Sequence, residues 1–232
     1  MEIRLTLQKR DESIPLTFGY NRMVNAGYVG RDQNEVRRHI EELAKKGIPG
    51  PGTTPTLYPV ITRMLTTESE IEVYSHNTCG EVEYVLLVEN ENTIYVGLGS
   101  DHTDRHLEET DIPRAKQICP NVLSHAVWPL SEVEDHWDGL EIESKVLKHG
   151  EEILYQKGSL ELILDPKRLM EFVRSKIPVP LDKTVIFSGT LGSLTGSFVF
   201  GERFMAQLKD PRLNRRLELA YEISPLDYMT VE

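Results

Sequence analysis

Residues 81–105 read EVEYVLLVENENTIYVGLGSDHTDR, and this stretch decides the fold. It opens with Glu81-Val82-Glu83, runs into the apolar segment Tyr84–Val88, turns at Asn90-Glu91-Asn92, and returns through Thr93–Leu98. β-branched and aromatic residues flanking an Asn-rich turn predict a hairpin of two well-buried strands. Strand period two aims Glu81 and Glu83 at one face. Side-by-side carboxylates repel unless a cation lies between them or they share a proton. An all-oxygen set suits hard cations such as Mg²⁺, Mn²⁺ or Ca²⁺. The alternative is a solvent-facing edge strand with alternating acids.

The returning strand runs through Gly97 and Gly99 into Ser100-Asp101-His102-Thr103-Asp104-Arg105-His106. A polar run at a strand's C-terminal end is a common place for function on a scaffold. His102 and His106, at i, i+4 with Asp101 nearby, could hold zinc if the segment were helical. Equally, Asp101 or Thr103 could cap a helix that starts there.

Outward from this hairpin the texture stays mostly β. Strands are predicted over 2–8, 71–75, 125–130, 140–148, 152–157, 183–188, 203–209 and 216–222, with Lys148–Glu151 as a hairpin turn. Residues 103–117 read as partly helical. A second helix is predicted at 165–175, with Asp165 as N-cap and Pro166 at its first position. The clearest helix begins at Asp32, carries Val36, Ile40 and Leu43 on one face, and stops at Gly47. It bears His39-x-x-Glu42, whose i, i+3 spacing brings the two side chains together. Such a pair can hold an imidazole as a general base, or belong to a solvated charged face with Arg37, Arg38, Lys45 and Lys46. Residues 47–59 (GIPGPGTTPTLYP) hold too much Pro and Gly for a helix or central strand. They read as a rigid loop anchored by Leu57 and Tyr58. Many strands and few helices predict one β-dominated α+β domain over 1–232.

Composition narrows the function classes. The chain has 232 residues with 26 basic and 37 acidic side chains, a net charge of −11. That sign argues against nucleic acid and anionic membrane as partners. No window approaches the roughly 20 apolar residues of a membrane span. The charged start MEIRLTLQKR is unlike a signal peptide. Cys79 and Cys119, the two cysteines, are then expected as reduced thiols in a cytoplasmic protein.

Taken in order along the chain, these motifs resemble the fumarylacetoacetate hydrolase superfamily. Gly30-Arg31-Asp32 before His39 and Glu42 is similar to its opening motif, and residues 47–59 to its Pro-rich loop. Glu81-x-Glu83 resembles its metal-binding strand, Asp101-x-Thr103-x-Arg105 its next segment, and Ala115-Lys116 its Ala-Lys pair. His149-Gly150-Glu151 and Ser188-Gly189-Thr190-Leu191-Gly192 resemble its later turns. The resemblance spans roughly residues 27–222. It implies a mixed β-roll or sandwich with short decorating helices, N-terminal strands and a lid helix to about residue 47, and a metal-binding roll over about 60–222.

It further implies a homodimer acting on a small anionic substrate. Mg²⁺ or Mn²⁺ would be held by Glu81, Glu83 and Asp101. His39 and Glu42 would be the general-base dyad. Lys116 would be catalytic, and Arg105, Tyr58, Thr190 and Gly189 would bind substrate. The implied activity is a metal-dependent hydrolase cleaving a C–C bond in a 2-oxo acid or β-dicarbonyl. Decarboxylase, hydratase or tautomerase activity on the same scaffold, or binding without catalysis, are the alternatives. Departures mark a divergent branch: the hairpin after Glu83 is tight, a loop lysine gives way around Tyr58-Pro59, Leu191 replaces a proline, and His102 and His106 are unusual.

Overall fold

The computed structural model describes residues 1–34, 36–38, 40 and 51–228. Strands β1 (Glu2–Gln8) and β2 (Ser13–Gly19) form a hairpin, followed by β3 (Arg22–Gly27). Residues 33–34, 36–38 and 40 are helical, where the sequence predicts a helix. His39, Glu42 and the helix's expected end at Gly47 lie outside the described residues.

β4 (Thr56–Val60) pairs antiparallel with β3 and forms one edge of a large sheet. The segment expected as a rigid loop therefore ends as a strand. An edge position lets Pro59 sit in it, since an edge strand need not donate every N–H. Leu57 packs on the core as expected.

The short β5 (Leu65–Thr66), β6 (Glu70–Val73) and β7 (Thr78–Cys79) precede the long hairpin of β8 (Val82–Asn90) and β9 (Thr93–Asp101). Then come β10 (Thr103–Asp104), the single-turn helices α1 (Arg105–Glu108) and α2 (Ile112–Ala115), and β11 (Asn121–Pro129). A second hairpin, β12 (Glu141–Lys148) and β13 (Glu151–Ser159), turns at His149 and Gly150, both at positive φ. Helix α3 (Pro166–Lys176) begins at Asp165, whose carboxylate accepts from the Arg168 N–H. β14 (Thr184–Phe187), β15 (Arg203–Asp210) and β16 (Arg215–Pro225) complete the chain.

The large sheet runs β2-β1-β11-β9-β8-β14-β3-β4, with β5 also paired to β11. A second sheet runs β13-β12-β15-β16-β6. Alternation along β8 sorts the cores: Val82, Tyr84, Leu86 and Val88 join the larger cluster, and Val85 and Leu87 the smaller. The larger cluster packs the large sheet on the second sheet and on Leu169 and Val173 of α3. The smaller draws Leu5, Leu7 and Phe18 from one end of the strand order and Met23 and Val60 from the other. Strands that distant in the order meet only if the sheet curls, so the smaller cluster fills the inside of a roll. This is the β-dominated fold that the strand pattern predicts, in the roll form with short helices that the resemblance implies.

β8 and β9 are central strands, which excludes the edge-strand alternative for Glu81-x-Glu83. Gly99 lies opposite Glu83 in register, and a Cβ there would stand 2.5 Å from Val85 Cγ2 and 2.6 Å from the Phe187 ring. That close approach is open only to glycine.

Candidate metal centre and active site

Glu83 on β8 and Asp101 at the end of β9 occupy the roll's inner face, by alternation with Val85 and by register. Glu81 sits just before β8 and holds the end of β9 through its carbonyl, which accepts from Asp101 N–H at 3.1 Å. Carboxylate oxygens of Glu81, Glu83 and Asp101 all lie within 4.8 Å of one another. Among the described residues no other trio of His, Cys, Asp or Glu converges this way. Glu83 and Asp101 are each 1% exposed, so their charges have little help from water.

Two buried cations face the acids. Lys116 directly follows α2, whose start is fixed by the Asp111 carboxylate accepting from Arg114 N–H. Its Nζ lies 2.7 Å from Asp101 Oδ2 and 3.3 Å from Glu81 Oε2, and donates to Thr103 Oγ1 at 3.1 Å. Arg105 pairs with Glu81 at 3.1 Å and with Glu108 at 2.6 Å. Its Nε donates to Cys79 Sγ at 3.0 Å, and its guanidinium stacks over Phe198. The N-cap of α1 is Asp104, which accepts from Leu107 N–H. Asp101 and Thr103 are thereby left to the acidic cluster and are not spent on capping.

The rest of the wall comes from the turn after β14. Gly189 adopts φ +83° and donates its N–H to Glu83 Oε2 at 2.8 Å. The Thr190 hydroxyl donates to Val82 O at 2.7 Å and accepts from Gln156 Nε2 at 2.7 Å. Gln156 also accepts from Val82 N–H, so it ties β8 to the turn. The hydroxyl expected at the substrate is thus engaged in holding the site's backbone. Tyr58 on β4 lies over Gly27, with its Cε2 3.5 Å from where a Cβ would stand.

The electrostatics follow from burial and neighbours. Burial would raise Glu81, but Arg105 and then Lys116 outweigh it and bring its pKa down to about 2. Glu83 goes the other way: burial, then the charges of Asp101 and Glu81, push it well above the carboxylate range. Lys116 is driven above the usual lysine range by Asp101 and Glu81 against the opposing effect of burial. The site therefore holds two balanced carboxylates and a third that lacks a cation of its own. A divalent ion fits this set, because the donors are all oxygen, they converge, and an added positive charge relieves Glu83.

Of the residues expected to act, Glu81, Glu83, Asp101, Arg105 and Lys116 come together. Gly189 and Thr190 border them, and Tyr58 reaches over Gly27. His102 and His106 do not form a zinc site with Asp101. His102 is buried with Nδ1 2.9 Å from the Tyr221 hydroxyl, whereas His106 is exposed. Burial, with Arg105 nearby, keeps His102 neutral by lowering its pKa to about 3.

Sequence reading missed Glu108, which shares Arg105 and Lys116 with Glu81; its i, i+3 spacing from Arg105 was the available signal. It also missed Tyr28, a half-buried side chain at φ 56°. Left-handed backbone at a bulky residue is rare, and nothing in the local sequence announces it. Burial, then Tyr58, Glu108 and Glu81, raise the Tyr28 phenol.

The family described as "Protein of unknown function (DUF2848)" matches residues 26–221. No curated protein matches the chain. Among solved structures, the chain is similar to 5-carboxymethyl-2-hydroxymuconate delta-isomerase from Mycobacterium smegmatis, at TM-score 0.64 and 15% identity over 92% of this chain and 83% of that one. The yeast fumarylacetoacetate hydrolase family protein ynq8 aligns at TM-score 0.61 and 18% identity, over 92% of this chain and 97% of the other. 2-Keto-3-deoxy-D-arabinonate dehydratase complexed with magnesium and 2,5-dioxopentanoate aligns at TM-score 0.59 and 15% identity, over 88% and 73%. At these identities the likeness shows the fold, which is that of fumarylacetoacetate hydrolase family proteins.

Proposed function

The chain belongs to the DUF2848 family, and from that premise and the geometry we propose a divalent-metal-dependent hydrolase that cleaves a C–C bond in a small 2-oxo acid or β-dicarbonyl. The observation that carries this reading is the convergence of the Glu81, Glu83 and Asp101 oxygens within 4.8 Å. These three residues would hold Mg²⁺ or Mn²⁺; a magnesium complex of a protein with this fold supports the choice. When bound, the ion supplies Lewis-acid stabilisation of the charge that builds on the 2-oxo group.

The chain's own groups do the rest. Lys116, buried and fully charged, holds the substrate carboxylate near Asp101 and Thr103. Arg105, fixed by Glu81 and Glu108, keeps Glu81 ionised. Gly189 N–H orients Glu83. His39, supported by Glu42, takes a proton from the water whose oxygen bonds to the distal carbonyl carbon. The C–C bond then breaks with its electron pair moving to the carbon beside the 2-oxo group, and the proton held by His39 goes to that carbon. Water is consumed as H and OH, one to each fragment. The reading includes a homodimer, which sedimentation would check.

A second reading, isomerisation, dehydration or decarboxylation of a 2-oxo acid on the same residues, is favoured by the isomerase and dehydratase among the proteins sharing the fold. Assay of the Mg²⁺-supplemented protein on an acylpyruvate and on oxaloacetate separates the two. Hydrolysis of the acylpyruvate, falling about 100-fold or more in His39→Ala, is the expected result. Turnover of oxaloacetate alone, indifferent to His39→Ala, supports the second reading. Turnover of neither, with no metal response, overturns both.

A further inference from the structure

One buried side chain beside the acidic cluster has no partner in the fold. Asn121, the first residue of β11, is 0% exposed, and neither its Nδ2 nor its Oδ1 makes a hydrogen bond. A fully buried amide with both ends unpaired is rare in native proteins and calls for a ligand or a specific role. Asn is also a poor strand residue, so packing does not explain its choice.

Register fixes where the side chain stands. Asn121 is directly opposite Asp101 on β9, and on its other side pairs with Leu65 of β5. Directly opposed residues share a face with Cβ atoms about 4.5–5.5 Å apart. Asn121 is thus on the roll's inner face beside Asp101, held by a strand on each side. Leu123, two residues on, belongs to the inner core, which confirms that orientation. A second amide repeats the pattern. Asn25 on β3 is 0% exposed, has both polar atoms unpaired, and faces inward in register with Phe187 and Tyr58.

The chemistry of the amide selects the ligand group. A ligand carboxylate at this point would lie against Asp101 and needs a cation, which Lys116 already provides elsewhere in the cluster. A carbonyl would use only the amide's donors. A hydroxyl both donates and accepts, and a carboxamide offers two donors and an acceptor while remaining neutral next to Asp101.

We infer that Asn121 is a specificity-determining residue whose carboxamide receives a substrate hydroxyl, so that the site prefers hydroxylated 2-oxo acids to their unhydroxylated counterparts. This rests on the 2-oxo acid reading above. The proximity to Asp101 places that hydroxyl on a carbon close to the 2-oxo group.

Calorimetric titration of the Mg²⁺-supplemented protein with pyruvate and with hydroxypyruvate tests it, on the wild type and on Asn121→Leu, which keeps the branched shape and removes both polar atoms. The wild type should bind hydroxypyruvate about tenfold more tightly, the scale of one well-made hydrogen bond. Asn121→Leu should bind the two alike while keeping pyruvate affinity within about threefold. Asn121→Ser, which stays polar but is too short to reach, should lose the preference as well, and serves if the leucine variant does not fold. Equal binding of both ligands by the wild type, or an undiminished preference in the variants, overturns the inference and leaves the 2-oxo acid reading standing. Failure of pyruvate itself to bind defeats that reading, and the inference with it.

Discussion

Among the three converging acids, Glu83 is the one without a cation of its own. Glu81 has Arg105 and Lys116, and Asp101 has Lys116, but Glu83 has only the Gly189 N–H. That asymmetry cannot be read from Glu81-x-Glu83 in the sequence, where the two acids look equivalent. The face they share was legible, because period two is a local property of a strand. Asn121 and Tyr28 were not, because their meaning depends on register and backbone strain; Glu108 offered only its i, i+3 spacing from Arg105, and its second cation, Lys116, comes from beyond the helix. Cys119 gives a pH test at this scale. It is 0% exposed, and burial, with Asp104 and Asp101 nearby, raises its thiol to about 12 from an ordinary value of 9. A raised acid favours the protonated form in the folded state. The stability it contributes is therefore present below pH 9 and is lost as pH rises from 9 toward about 12, where the unfolded chain ionises first. Cys119→Ala should flatten the decline of urea-measured stability between these limits; an identical decline in both proteins would show that the thiol does not titrate this way.

The elements that build the site are two hairpin strands, one turn and two single-turn helices. The β8–β9 and β12–β13 hairpins were legible because turn chemistry and flanking residues are contiguous. The end of the 47–59 segment was not, because an edge strand such as β4 is decided by β3 alongside it and not by its own Pro-rich composition. The two-residue strands β5 and β7 were invisible for the same reason. The turn after β14 matters most for the acids. A Cβ on Gly189 would stand 2.6 Å from Val29 Cγ2 and 3.0 Å from Ala26 O, at a φ of +83° that side chains avoid. Gly189→Ala should cost about 1–3 kcal/mol of stability and weaken Mg²⁺ binding, because the N–H that orients Glu83 must move. Denaturation in urea and magnesium titration of the same variant check the two effects together; unchanged stability and affinity would contradict the role given to this turn.

At the scale of the whole molecule, the β-dominated class was legible from the number of strands, but the strand order was not. β1 beside β11 and β14 beside β3 are parallel pairings between distant segments, and nothing in either partner specifies the other. Those pairings close the roll and bring residues from positions 81 to 190 to one end of it. The net charge of −11 describes the surface and misleads about this end, where Lys116 and Arg105 are buried and a divalent ion would invert the local sign. No helix among the described residues is long and apolar enough to cross a membrane. The central claim is that Glu81, Glu83 and Asp101 together hold a divalent cation. Anomalous diffraction from crystals grown with Mn²⁺ and oxalate tests it most directly. The expected result is one strong peak in contact with all three carboxylates, absent from Glu83→Gln crystals grown the same way. Wild-type crystals with no peak there, and with Lys116 still bridging Asp101 and Glu81, would contradict it.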